Sequence, residues 1–197
     1  TQGIYAGQEQ CYIAAGSTRE YVDTGAYTPQ QFYLQGLWTN GPESIIHARE
    51  TNDLEDHLAF QFVGRSANVV IDPAAPDPFD VFVEIDDRPL KPEEAGSDVM
   101  FDDQGRSYFT VEEAKVYAFL EVPEFGKYIV KLASNSDNFA IFAFTFGINE
   151  GGHLVHALLA HGVKGTRHIL LAVGVGLASL AIVACGSDEP VGEDLSS

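Results

Sequence analysis

The chain has 197 residues, with 29 acidic side chains against 11 basic ones and a formal net charge of −18. That length suits one domain with additions, and the acidity excludes nucleic acid as a partner, because phosphate binding needs a basic stripe. Apolar residues make up 45% of the chain, rich in Val, Ile, Phe and Tyr and punctuated by Gly and Pro, which is a β-rich composition rather than a helical or disordered one.

Residues 1–31 read as an irregular lead-in. Gly3, Gly7, Gly16 and Gly25 interrupt every period, and Thr28-Pro29 marks a turn before the first strand signal. Strand-length segments then follow at Phe32 to Trp38, Glu43 to Ala48, His57 to Val63, Ala67 to Asp72 and Phe79 to Ile85. The series continues with Ser107 to Thr110, Lys115 to Glu121, Lys127 to Ala133 and Phe139 to Phe146. In the fifth segment Phe79, Val81, Val83 and Ile85 share one face while Asp80 and Glu84 point the other way, the mark of a half-buried strand. The last segment is apolar on both faces, as a strand covered on both sides would be. Turn residues separate the segments, notably Pro73 to Pro78, Arg88 to Pro92 and Ser134 to Asp137. Short strands at this spacing, with no helical period between them, indicate an all-β, jelly-roll-like antiparallel β-sandwich over residues 32–147.

The character changes after Gly147. Residues 148–168 read as a linker, partly helical, with a Gly151-Gly152 hinge and two possible helical turns over His153 to Ala160. Ile169 to Cys185 is an uncharged apolar run of 17 residues, read as a C-terminal hydrophobic helix at the short end of what spans a membrane. An acidic tail, 186–197, closes the chain. Lys164, Arg167 and His168 stand before the run, and Cys185-Gly-Ser-Asp ends it. That layout also fits a lipoprotein signal joined in frame, and a buried hydrophobic helix is the third account.

Several stretches, taken in order, carry a family resemblance. They are Thr1-Gln-Gly-Ile-Tyr5-Ala-Gly7, Phe32-Tyr-Leu-Gln-Gly36-Leu-Trp38-Thr, Gly41-Pro-Glu43-Ser, Val81-Phe-Val-Glu-Ile-Asp86-Asp-Arg-Pro89, Gly96-Ser-Asp98-Val, Val116-Tyr117 and Phe142-Ala-Phe-Thr-Phe-Gly147. Together they resemble the C-terminal domain of DipZ-type, thioredoxin-like membrane redox proteins, which is similar to a carbohydrate-binding module of jelly-roll form. The resemblance implies an upstream redoxin domain that holds the C-x-x-C pair, and with it an extracytoplasmic place at the cell envelope. It also implies that this chain is a fragment, in keeping with a first residue that is Thr rather than Met.

The candidate residues are few. Trp38, the sole tryptophan, with Tyr33, Glu43 and Tyr117, is the expected contact set for a saccharide or cell-envelope polymer, since Trp and Tyr pair an apolar face with a polar tip. Trp38 could equally plug the end of the core. Asp98, Asp102 and Asp103, followed by Gly105, form the densest acidic loop and are candidate ligands of a structural calcium ion, or else solvated turn residues. His153, His156 and His161 do not share one helical face and have no acid nearby to complete a zinc site. Ser17, Ser44 and Ser66 lack a nucleophile setting, and Glu112 and Glu113 are adjacent on a turn rather than opposed. Cys11 and Cys185 are far apart and in no C-x-x-C pair, so dithiol chemistry cannot be run by this chain alone. The expected function is a non-catalytic binding module without a cofactor, attached to a redoxin domain and to a membrane through 169–185. The alternative is a structural or protein-interaction domain that contacts the redoxin domain or a membrane partner.

Overall fold

The computed structural model describes residues 16–29, 31–147 and 156–159. These form eleven strands: β1 (Ser17–Tyr21), β2 (Phe32–Asn40), β3 (Ile45–His47), β4 (His57–Ile71), β5 (Phe79–Ile85), β6 (Arg88–Pro89), β7 (Met100–Phe101), β8 (Ser107–Val111), β9 (Lys115–Ala133), β10 (Ala140–Gly147) and β11 (His156–Leu159). One 3-10 turn, Pro92–Glu94, is the only helical element among the described residues. The strands pair antiparallel in the order β1-β2-β3-β10-β4-β9-β5-β8-β7. The all-β, antiparallel sandwich expected from the alternation is the observed architecture.

Two long strands organise it. The segments read as His57 to Val63 and Ala67 to Asp72 are one strand, β4, and Lys115 to Glu121 and Lys127 to Ala133 are likewise one strand, β9. The sequence suggests breaks at Gly64 and Gly126, yet β4 and β9 stay paired past both, with the register shifting between Gly64 and Ser66. A bulge at this point bends the ladder instead of ending it, because the flanking backbone groups keep their partners. The bend folds the sheet on itself. Residues 57–64 and 126–133 join β5 and β8 in one layer, while residues 66–71 and 115–121 join β10 and β3 in the other.

Aromatic rings fill the space between the layers. Phe144 of β10 meets Phe60 of the opposite layer at 4.8 Å between ring centroids, and Phe109 of β8 lies 5.2 Å from Tyr117. β2 also changes layer. Its residues Phe32 to Gln35 pair with β4, and Trp38 to Asn40 pair with β3. Gly36 makes that turn with φ +92°, and a Cβ there would stand 1.9 Å from Asp56 Oδ1, so only glycine fits.

Three expectations are corrected. The lead-in is not wholly irregular: Ser17–Tyr21 is β1, which pairs with Gly36 to Asn40 and covers backbone groups that would otherwise face solvent at the edge of β2. The partly helical linker is strand where it is described, since residues 156–159 pair as β11 with Ala143 to Phe146, the part of β10 that β3 leaves open. The strand at 139–146 is not covered on both sides: Ala140, Ile141 and Phe144 are buried, while Phe142, Ala143 and Phe146 are half-exposed. Residues 1–15, with Cys11, and residues 160–197, with the apolar run, Cys185 and the acidic tail, lie outside the described residues, as does His153.

Candidate functional site

The residues expected to bind a ligand are not brought together. Trp38, 1% exposed, lies inside the sandwich against His47 and Phe139, and its Nε1 donates to the Gln35 carbonyl at 2.8 Å. Tyr117 is equally buried, stacked on Phe109, with its hydroxyl donating to the Glu113 carbonyl at 2.7 Å and so closing the turn before β9. Tyr33 is buried as well, on a different face, and Glu43 is exposed in the β2–β3 turn. Three rings with no free face offer no platform, which corrects the expected contact set.

The acidic loop has other partners too. Asp98 accepts from Lys115 Nζ at 3.1 Å and from the Ala118 amide at 2.7 Å. Asp102 accepts from the Gln104 and Arg106 amides and from Arg106 Nε at 2.7 Å, while Asp103 is exposed. Among the described residues no group of three or more His, Cys, Asp and Glu side chains gathers closely enough to hold a metal ion. Asp98 thus ties its loop to β9 and Asp102 closes its own turn, while Asp103 stands apart from both.

Two Asp–His pairs sit where β2 changes layer. Asp56, 1% exposed, receives Arg49 Nη2 on Oδ1 at 2.6 Å and Arg49 Nε on Oδ2 at 2.7 Å, together with His47 Nε2 at 3.0 Å and the Leu37 amide. Burial opposes ionisation of Asp56, but these donors outweigh it and hold the carboxyl below the usual carboxylate range. Asp23 behaves similarly, its burial overcome by the Gly25 amide, the Tyr27 hydroxyl at 2.7 Å and His57 Nε2 at 3.0 Å. Burial, then the bond to Asp23, drives the Tyr27 hydroxyl pKa well up.

The Asp23 cluster ties residues 22–29 across the outer face of the first layer. Tyr27 stands edge-on to Tyr33 at 4.9 Å, the Thr28 amide donates to the Tyr33 hydroxyl, and Pro29 bridges to Gln61. This strap explains why Tyr33 and Ala59 are buried although they alternate with the inward-facing Leu34 and Leu58.

Beyond the strap no described segment covers the outer face. One row of paired residues crosses it: Gln35, His57, Ala133, Phe82, Tyr108 and Met100. Phe82 and Tyr108 are half-exposed, 5.7 Å apart with their planes at 34°, and Met100 is 44% exposed beside them. The Arg106 guanidinium, fixed by Asp102, lies 4.6 Å from the Phe82 ring centroid. Thr110 donates to Asp80 at 2.7 Å on the same face. The two tilted rings, one of them capped by the guanidinium, with a carboxylate and a hydroxyl alongside, can receive a molecule that has an apolar face and polar rims. By contrast, the groove of about 280 Å³ at the bend, lined by Arg65, Glu93, Glu121 and Pro123, holds no aromatic ring.

Sequence reasoning passed over this face. Its one signal was Phe82, an aromatic residue between Asp80 and Glu84 on the wet side of β5. The family model described as a thioredoxin-like C-terminal domain matches residues 3–147. No curated protein matches the chain.

Proposed function

The chain belongs to the family of thioredoxin-like C-terminal domains, and from that premise we propose that it is a non-catalytic, extracytoplasmic module appended to a thiol-disulfide oxidoreductase, binding a saccharide or cell-envelope polymer through the Phe82–Tyr108 face. The observation that carries this reading is the partly exposed Phe82–Tyr108 ring pair, with the Arg106 guanidinium over the Phe82 ring and Thr110 and Asp80 alongside. The apolar face of a pyranose stacks on such rings, and its hydroxyls exchange bonds with the polar rim. Because the surface is shallow and part of each ring is already covered, the affinity is weak, with Kd about 0.1–1 mM, or about 4–5.5 kcal/mol.

A glycan array followed by titration calorimetry tests the proposal. Phe82→Ala and Tyr108→Ala are each expected to weaken binding at least about tenfold, the loss of one stacking face, with the circular dichroism unchanged. Trp38→Ala is unsuited to the purpose, since it removes a core ring. A blank array would sink the saccharide reading. The structural or protein-interaction reading would then stand, and the exposed Phe125 and Val63 at the bend favour it.

A further inference from the structure

The two layers differ on their outer sides. On the layer that carries Phe82 the outward positions include Asp80, Glu84, Lys127 and Lys131, as suits a sheet face in water. The other layer, built from β10, β3 and residues 66–71 and 115–121, is not like this. Phe144, Val69 and Tyr117 lie side by side and point into the core, so the residues that alternate with them point out. They form two rows, one of Ala143, Val70 and Val116 and one of Thr145, Asn68 and Ala118, with Ile46 further along opposite Ala140. None of these is charged, and each is half-buried. The two polar side chains bond to each other, Asn68 Nδ2 donating to Thr145 Oγ1 at 3.0 Å. The first charge along the face is Glu121, at the bend. A sheet that is apolar toward its outer side as well as its core has the pattern of one with a second cover.

The course of the chain says what that cover is. β11 runs along β10 from Phe146 to Ala143, away from the bend, and ends at Leu159. It cannot go on as a strand there, because β3 already pairs with Ala140 and Ile141. The chain leaves the sheet toward the end where the loops around β10 carry exposed Glu43 and Asp137 and half-exposed Asp72. Lys164, Arg167 and His168 come next, and then the uncharged run 169–185. Residues 160–168 span up to about 32 Å when extended. Only about 10 Å of β10 lies beyond Ala143, so this linker is long enough to turn back at the acidic end. A helix of the length of the run extends about 26 Å, and β10 from Ala140 to Gly147 extends about 26 Å as well.

We propose that residues 169–185 fold back over this outer face as its cover, packing on Ala143, Val70, Val116 and Ile46, with Lys164 and Arg167 beside the acidic loops. Of the three accounts of the run this is the buried one, in which the segment belongs to its own module and not to a membrane. The proposal does not rest on the saccharide reading, which concerns the opposite side of the sandwich, so the two fail separately.

Photo-cross-linking of the full chain tests this. p-Benzoylphenylalanine is placed at Ala143, at Val116 or, as the control, at Glu84 on the opposite side, and the products are mapped by peptide mass spectrometry with and without phosphatidylcholine vesicles. From Ala143 and Val116 at least half of the product is expected to join 169–185 of the same chain, whether vesicles are present or not, and from Glu84 none. A thiol gives a second reading without the bulky probe. In a chain carrying Cys11→Ser and Cys185→Ser, Ala143→Cys is expected to react with a maleimide at least about tenfold more slowly than Glu84→Cys, as a covered site opens only rarely. Product that joins two chains would assign the face to a second copy, and loss of the 169–185 product to lipid adducts would assign the run to a membrane. Either result overturns the proposal, as do equal maleimide rates or the absence of any product in 169–185 from both positions.

Discussion

Phe144→Asp is expected to leave no folded protein. Phe144 is 2% exposed in β10 and reaches across the sandwich to Phe60 at 4.8 Å, Phe32 at 5.1 Å and Phe119 at 6.4 Å, so one ring contacts both layers. Truncating such a ring costs about 3–5 kcal/mol. A carboxylate in its place adds several more, because no cation lies among the rings that surround it. The sum reaches the whole stability of a typical domain, about 5–15 kcal/mol. The check is urea unfolding of the variant followed by near-ultraviolet circular dichroism. A cooperative transition with native near-ultraviolet signal would show that the core is not where these contacts put it.

The second large effect centres on Asp56. Asp56→Ala leaves His47 Nε2 and the Leu37 amide buried without their acceptor and Arg49 without its bidentate partner. Breaking a buried pair of this kind costs about 3–5 kcal/mol, which lowers Tm by roughly 10 °C or more. Acid should act on the same group. Asp56, Asp23 and Glu94 all have native carboxyl pKa values below the ordinary range of about 4. Glu94 is held down to about 2, chiefly by hydrogen bonding to Arg88, against burial and with help from the Lys91 amide. The unfolded chain therefore binds more protons than the native one below that range. The stabilisation is complete at neutral pH, begins to fade near pH 5, and is lost as pH falls toward the depressed native values. Thermal melts at steps from pH 7 to pH 2 should show that decline, and the gap between wild type and Asp56→Ala should narrow with it. A constant gap down to pH 2 would mean that the carboxylate charge is not what holds this corner.

The alternation of most strands and the family of thioredoxin-like C-terminal domains could be taken from the chain directly, but the order of strands in the sheet could not. The period-2 pattern at Phe79 to Ile85 gave bounds identical to those of β5, because each residue of a half-buried strand is assigned to a face by its neighbours alone. The bend was not visible in this way. Gly64 and Gly126 look like breaks to any local reading, and only their being opposite each other turns two breaks into one fold line.

The candidate site shows the same division. Composition and alternation determined an acidic, all-β module with an apolar segment after it, since those properties sum over residues whatever their partners. Which aromatic rings face water was decided in three dimensions. Trp38, Tyr33 and Tyr117 have the chemistry of a saccharide platform. The Gly36 turn places Trp38 inside the sandwich, the strap at 22–29 covers Tyr33, and the turn at Glu113 captures the Tyr117 hydroxyl. Phe82 and Tyr108, which look like ordinary strand residues, remain partly open because β7 beside them is only two residues long and no segment among the described residues crosses their face. Exposure belongs to the packing of distant segments, and no window along the chain contains it.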